Sequence, residues 1–178
     1  MIEKKRYLPF LLSFLVVLAD QISKFLIVHF IPEGTVAASL FGDWLWICHV
    51  RNDAIAFSLG ASLSVFVKYI AFIALPILLM GLVGYTIISR KMDNEFTSFQ
   101  RWCLAGIFGG GIGNLIDRIF RNLRVVDWIS TDMNGFLGME RFPTWNIADG
   151  SVVVSVILLL ISFIYVSFKE KEGNEQKR

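Results

Sequence analysis

The chain has 178 residues, of which 55% are hydrophobic and 18% charged, and its formal net charge is +2. This composition is typical of a protein that crosses a membrane several times and is too apolar for an ordinary soluble domain. The small charge, with no basic run interleaved with aromatic residues, argues against a nucleic-acid-binding protein.

The first apolar segment, residues 8–31, follows the basic residues Lys4, Lys5 and Arg6. A secretory signal peptide also begins with positive charge, but its apolar region is shorter and ends in a small-residue cleavage site. Residues 8–31 exceed that length, lack such a site and match the roughly 20 residues that cross a bilayer. We therefore predict a retained transmembrane helix.

This first span contains Asp20 and Lys24, which are four residues apart and so share a helix face. One interpretation is a self-neutralising pair that faces other helices. The other is that the pair braces the polar groups of a site near the outer interface. Ionisable residues within a membrane span indicate function by default, which favours the second interpretation.

The connection over residues 32–63 is less apolar. Trp44 and Trp46 alternate with Leu45 and Ile47, which predicts one or two strands at the membrane interface. The stretch from Arg51 to Ser58 that follows is, taken alone, a polar turn that specifies nothing.

The second and third spans are predicted over residues 64–89 and 99–120. Pro76 is tolerable within a span because neighbouring helices can satisfy the freed carbonyl. The third span has two overlapping GxxxG spacings, Gly106/Gly110 and Gly109/Gly113, which permit close helix packing. No GK[ST] follows these glycines, so a phosphate-binding loop is excluded.

The third span ends in a polar cluster. Asn114 and Arg118 are four residues apart and project from one face, whereas Asp117 is expected to point to the side. Such a cluster can be a snorkelling cap. Three polar residues within five positions favour the architecture of a site.

The second connection, residues 121–147, places Asp127 near its start and leads to Asp149 at the beginning of the fourth span, residues 148–168. A carboxylate beside hydrocarbon is unfavourable unless it is paired, hydrogen-bonded or protonated. If the two aspartates meet, they hold one proton between them, so one can act as general base on a water and the other as general acid. This is the chemistry of an aspartic protease.

Neither cysteines nor histidines form a metal-ligand pattern. Cys48 and Cys103 are isolated and interpreted as small apolar fillers, and His29 and His49 lack a spacing such as HExxH. We expect no metal, no cofactor and no disulfide.

Basic residues predict the topology, because they are enriched in cytoplasmic segments. Ten lie on the side of the two termini and five in the opposite connections or at their edges. Both termini and the tail, residues 169–178, are therefore expected in the cytoplasm, with the tail solvated and mobile. The polar clusters then gather at the outer face of a single domain, residues 1–178.

Taken together, these residues resemble the type II (lipoprotein) signal peptidases of bacteria. The resemblance covers nearly the whole chain and is carried by five stretches: Asp20 to Lys24, Arg51-Asn52 through Ala56-Phe57-Ser58, Gly113 to Arg118, Val125 to Ile129, and Phe142 to Asp149.

The resemblance implies an all-α integral membrane endopeptidase of the inner membrane, with four helices, a small extracytoplasmic β-platform and a loop over the site. Its implied substrates are diacylglyceryl-modified prolipoproteins, cut just before the lipid-modified cysteine. It also implies inhibition by globomycin, and we expect a monomer. The family's catalytic pair falls on Asp127 and Asp149, and its supporting positions fall on Asp20, Lys24, Asn52, Asn114, Arg118 and Asn146.

The chain departs from the family pattern at four positions. Ala54 and Ile55 replace the usual glycine and alanine after the asparagine, which bears on the shape of that loop and on inhibitor fit. Trp128 and Trp145 stand where phenylalanine is common. Both aspartates are retained.

Two functions of other classes compete with this hypothesis. A small proton-coupled transporter would spread acidic residues through the membrane depth and show an internal repeat, whereas here they cluster on one side. An assembly subunit would explain the glycine-rich third span but not the aspartates.

Overall fold

The computed structural model describes residues 6–53 and 64–175. Four of its helices are long and apolar enough to cross a membrane: α1 (Pro9–Phe30), α2 (Val65–Ile88), α3 (Ser98–Phe120) and α4 (Ile147–Glu175). In α4 the part that could cross the membrane is Ile147–Lys169. A three-stranded antiparallel sheet accompanies them. The predicted fold class, four transmembrane helices with a small β-platform, is confirmed.

Large apolar side chains remain exposed along α1, α2 and α4. Phe14 and Phe25 are 62% and 63% exposed, and Phe66 and Leu78 are similarly uncovered. Such surfaces are unfavourable in water and match hydrocarbon, so these faces contact lipid.

Helix α3 lies at the centre of the bundle, and three consecutive glycines pack it against three different helices. A Cβ added at Gly109 would clash with the backbone of Ser13 in α1, one at Gly110 with the carbonyl of Ala148 in α4, and one at Gly111 with Met80 in α2. Gly109 and Gly110 face backbone atoms and therefore set how closely α1 and α4 approach α3, as the GxxxG spacing predicts.

Helix α2 contains a π-helical turn, Ile70–Ala74, in which Leu75 donates its N–H to the carbonyl of Ile70. Pro76 follows at once. It has no N–H to offer to the preceding turn, so the backbone widens where the regular hydrogen bond is missing.

The sheet follows the order β1 (Val36–Leu40), β2 (Leu45–Asn52) and β3 (Val125–Thr131). Between Ile47 and Val50 the register shifts: Ile47 pairs with Ile129, but Val50, three residues on, pairs with Asp127, only two residues back along β3. Beyond it, Asn52 pairs with Val125, which carries the Asn52 side chain to within reach of Asp127.

The chain after β3 turns at Asn134 and Gly135, both with positive φ, and returns along the same strand. Trp128 and Ile129 donate their N–H groups to the carbonyl of Trp145. This return brings the start of α4 beside β3.

At the opposite end of the bundle, Asp93 accepts hydrogen bonds from Arg6 and Arg101. Arg101 also donates to the carbonyls of Ile87 and Ser89, which close α2. These contacts tie the ends of α1, α2 and α3 together.

Residues 169–175, part of the tail that the sequence predicts to be solvated and mobile, continue α4 as regular helix to Glu175. Strong helix formers such as glutamate and lysine extend the helix beyond its apolar part.

Candidate active site

Asp127 and Asp149 come from different elements and share a hydrogen-bond partner, Asn146, at the end of the bundle that carries the sheet. Asp127 is the third residue of β3 and is 2% exposed. Asp149 lies in the first turn of α4. The returning segment described above brings the two residues together.

Asn146 joins the two aspartates. Its side-chain Nδ2 donates to Asp127 Oδ1 at 2.6 Å, and its Oδ1 accepts the N–H of Asp149 at 3.0 Å. Asp149 Oδ2 in turn accepts the N–H of Asn146 at 3.2 Å. This reciprocal pair is a capping box, so the signal that begins α4 also holds Asp149 in place.

Two further asparagines hold the remaining carboxylate oxygens. Asn52 Nδ2 donates to Asp127 Oδ2 at 3.0 Å, and Asn114 Nδ2 donates to Asp149 Oδ1 at 2.7 Å. The Oδ1 atom of Asn114 accepts from Asn146 Nδ2 at 3.1 Å. The aspartates are thus oriented by amide donors on β2, α3 and the start of α4.

A buried ion-pair network supports these amides. Lys24 Nζ lies 2.9 Å from Asp20 Oδ2 and 3.0 Å from Asp117 Oδ2, and all three side chains are fully buried. Lys24 also donates to Asn114 Oδ1 at 2.9 Å, while Asp20 Oδ1 accepts the N–H of Ala148 at 3.0 Å. The pair of Asp20 and Lys24 therefore touches both an amide of the site and the first turn of α4.

Arg118 acts differently from the asparagines. Its guanidinium lies over the ring of Phe72, 4.4 Å from the ring centroid, and its Nη1 donates to the carbonyl of Leu123 at 2.6 Å. Its charge also interacts with those of Asp127 and Asp149. Asn114 and Arg118 share a face of α3, as their spacing predicts.

Burial and, to a smaller extent, the nearby charge of Asp149 raise the pKa of Asp127 to about 7. The hydrogen bonds from Asn52 and Asn146 and the charge of Lys24 act in the opposite direction. A carboxyl group in this environment exchanges its proton near neutral pH.

Sequence reasoning misplaces the side chain of one residue of this site, Asp117, and assigns no role to another, Gln21. Helical spacing predicts that Asp117 points to the side, but it lies in the interior and contacts Lys24. Gln21 donates to Asp20 Oδ2 at 3.1 Å, to Asp117 Oδ1 at 3.2 Å and to the carbonyl of Gly113. The available signal for Asp117 is that it is the one acidic residue in Ser98–Phe120, a helix apolar enough to cross a membrane.

One predicted feature, the loop after Asn52, lies outside the described residues, whereas the cysteines and the possible metal ligands lie mostly within them. Ala54, Ile55, Ala56, Phe57 and Ser58 fall in the gap between residues 53 and 64. Cys48 and Cys103 are buried free thiols. Within residues 6–53 and 64–175, no group of three or more histidine, cysteine, aspartate or glutamate side chains is arranged to hold a metal ion.

Comparisons with known proteins agree with this architecture. The family model described as signal peptidase (SPase) II matches residues 12–165. A lipoprotein signal peptidase of Treponema denticola is 42% identical over 96% of this chain and 96% of its own length, and one of Treponema pallidum is 38% identical over 98% and 91%.

Two solved structures of bacterial membrane enzymes have similar folds. One has a TM-score of 0.73 at 28% identity and covers 89% of this chain and 88% of its own. The other has a TM-score of 0.71 at 30% identity and covers 87% and 91%.

Proposed function

Because the chain belongs to the signal peptidase II family of bacterial membrane proteases, which remove signal peptides from prolipoproteins, we propose that it does so by aspartic catalysis, with Asp127 and Asp149 as the catalytic pair. The substrates are diacylglyceryl-modified prolipoproteins, and the bond cut lies just before the lipid-modified cysteine. One observation carries this proposal: two carboxylates near hydrocarbon are oriented by three asparagine side chains, Asn52, Asn114 and Asn146.

The environments of the two aspartates suggest their roles. The pKa of Asp127, raised to about 7, favours its protonated form up to neutral pH, and we assign the shared proton of the pair to Asp127. Each aspartate accepts two N–H donors, but Asp149 alone lies at a helix N-terminus, where the dipole of α4 favours a carboxylate. Asp149 is therefore the general base and Asp127 the general acid.

In the first step, Asp149 takes a proton from water while the water oxygen bonds to the scissile carbonyl carbon. Asp127 gives its proton to the carbonyl oxygen, which produces a tetrahedral diol. In the second step the carbon–nitrogen bond breaks, Asp149 returns its proton to the leaving amine, and a diol hydroxyl returns a proton to Asp127. The dyad regains its starting state.

The supporting residues divide between orientation and substrate binding. Asp20, Lys24, Asn114 and Asn146 orient the carboxylates through the contacts described above. Asn52 orients Asp127 as well, and we assign Asn52 and Arg118 to substrate binding because amide and guanidinium N–H groups suit the carbonyls of a peptide backbone.

The position of the site fits a substrate held by a lipid anchor. The diacylglyceryl group stays in the bilayer, so the bond beside it must be cut at the membrane surface. The distribution of basic residues favours cytoplasmic termini and a site near the outer face of the cytoplasmic membrane. We further expect a monomeric enzyme that globomycin inhibits.

Cleavage of a purified diacylglyceryl-modified prolipoprotein tests this function. Wild type should release the signal peptide, and Asp127→Asn or Asp149→Asn should lose at least about 10³-fold in kcat, because neither can exchange the proton. Asp132→Asn, a change in the same connection away from the pair, is the matched control and should retain activity.

Full activity in either catalytic variant would refute the aspartate assignment. No cleavage by well-folded wild type would instead favour the transporter or assembly function, and proton flux would then be measured.

A further inference from the structure

Asp117 is a fully buried carboxylate of α3 that contacts two other elements, α1 and β3. It sits on α3, three residues after Asn114, and its Oδ1 accepts from Gln21 Nε2 of α1 at 3.2 Å and lies 3.4 Å from Arg121 Nη1. Its Oδ2 lies 3.0 Å from Lys24 Nζ and also accepts the N–H of Val126 in β3 at 3.0 Å. A buried charge with this many donors occupies one fixed position.

The contact with Val126 fixes the strand immediately before Asp127. Val126 and Trp128 present their N–H groups on the edge of β3 that faces away from β2, because alternate residues of a strand point the same way. Trp128 finds a partner in the returning segment, the carbonyl of Trp145, whereas Val126 finds the Asp117 carboxylate. Asn146 Nδ2 approaches the Val126 carbonyl at 3.4 Å, so both backbone groups of this residue are held.

The contact with Lys24 fixes the other half of the site. An ammonium group has three donors, and those of Lys24 are directed to Asp20, Asp117 and Asn114. The bond to Asn114 Oδ1 turns the amide so that its Nδ2 faces Asp149. Asp117 and Asp20 together confine Lys24 to the place from which it can do this.

We propose that Asp117 is a positioning residue for the aspartate pair: it anchors the strand that carries Asp127 and, through Lys24 and Asn114, orients Asp149. This inference rests on the proposed function, and it assigns Asp117 no contact with substrate. A single carboxylate on the central helix thereby fixes the positions of both aspartates of the pair, which come from β3 and α4.

Replacement by asparagine tests the role, because the amide side chain would offer one oxygen to the donors that now share two. We expect Asp117→Asn to lower kcat by about 10- to 100-fold with KM changed less than about threefold, since misplacement of a catalytic group by about 1 Å has effects of this size. Asp117→Glu keeps the charge and should recover part of the rate.

The pH profile separates this role from a general loss of structure. Asp127 is faced by the charges of Asp149 on α4, Lys24 on α1 and Arg118 on α3. Without the Asp117 carboxylate the charge of Lys24 is less balanced, which lowers the pKa of Asp127, so the alkaline limb of kcat should move to lower pH. Asp117→Glu should keep the limb in its wild-type position.

Asp93→Asn is the matched control. It removes an aspartate that is also paired with basic side chains, at the opposite end of the bundle. It should lower thermal stability without moving the pH profile.

Hydrogen exchange supplies a readout besides activity: the Val126 amide should exchange faster in Asp117→Asn, with amides in α3 unchanged.

A double variant with Lys24→Gln should be no less active than Lys24→Gln alone, because both changes act through one network. Wild-type kcat, an unmoved pH profile or unchanged Val126 exchange in a folded Asp117→Asn protein would overturn the inference. If wild type itself does not cleave prolipoprotein, the proposed function fails instead.

Discussion

At the level of single residues, the site depends on amide side chains whose orientation is determined by their neighbours. Asn114 accepts with Oδ1 from Lys24 and Asn146, which leaves Nδ2 for Asp149. Asn146 donates from Nδ2 to Asp127 and accepts the N–H of Asp149. Each side-chain amide has an NH₂ group that donates and an oxygen that accepts. A flip of either amide would exchange the two groups and break these hydrogen bonds.

Asp127 should make the stability of the protein depend on pH. Its pKa is raised to about 7 in the folded protein from an ordinary value near 3.8, so the native state keeps a proton that the unfolded chain loses between these values. The stabilising contribution is complete below about pH 4 and is lost as pH rises to 7, at up to about 1.4 kcal/mol per pH unit.

Unfolding of wild type and Asp127→Asn in the same detergent from about pH 4 to 8 measures this contribution. The variant should show a flatter decline over the lower part of that range, because residue 127 then has no proton to lose. Parallel curves for the two proteins would contradict the raised pKa.

At the level of secondary-structure elements, the close approach of α3 and α4 determines where Asp149 lies. Gly110 packs against the carbonyl of Ala148, the residue before Asp149, and Gly106 packs against Ser155, about two turns further along α4. A side chain at Gly110 meets backbone and pushes α4 away from α3, and with it the first turn that carries the carboxylate.

Gly110→Ala should therefore destabilise the protein by about 1–3 kcal/mol, the usual range for overpacking, and should lower kcat by about tenfold or more. Thermal unfolding and cleavage assays measure the two effects. Gly81→Ala on α2 is the control, because an added Cβ there meets no atom within 4 Å. Equal behaviour of the two variants would show that close packing of α3 on α4 is unimportant for the site.

At the level of the whole molecule, polar chemistry is concentrated at the end that carries the sheet, and lipid-facing side chains cover the rest. The ion pairs of Asp93 with Arg6 and Arg101 mark the other end. Which of these two ends points out of the cell decides which compartment the site faces.

Cysteine labelling in intact cells should reveal that orientation. Ala37→Cys lies on β1 and Glu95→Cys lies in the connection before α3, and both positions are exposed. We expect an impermeant thiol reagent to label Ala37→Cys directly and Glu95→Cys only after the membrane is permeabilised. The native Cys48 and Cys103 are buried and should react little. The reverse pattern would place the site in the cytoplasm.

Properties that depend on neighbours along the chain can be predicted without the structure. Apolar runs of bilayer length predict the four helices, alternation around Trp44 and Trp46 predicts strands, and the spacing of Asp20 and Lys24 predicts their pairing. The family resemblance names both aspartates and their asparagines as candidates. All of these signals are local or are read from motifs.

The contacts among these groups, by contrast, follow from how the elements pack. Asp117 contacts Lys24 and Val126 because glycines let α1 approach α3 and because β3 passes over the end of that helix, and neither fact is visible in the spacing of residues 113–118. The register shift in β2 brings Asn52 to Asp127, and the capping box of α4 places Asp149 beside Asn146. Contacts between residues far apart in the chain depend on packing distances between elements, which hydropathy and periodicity do not encode.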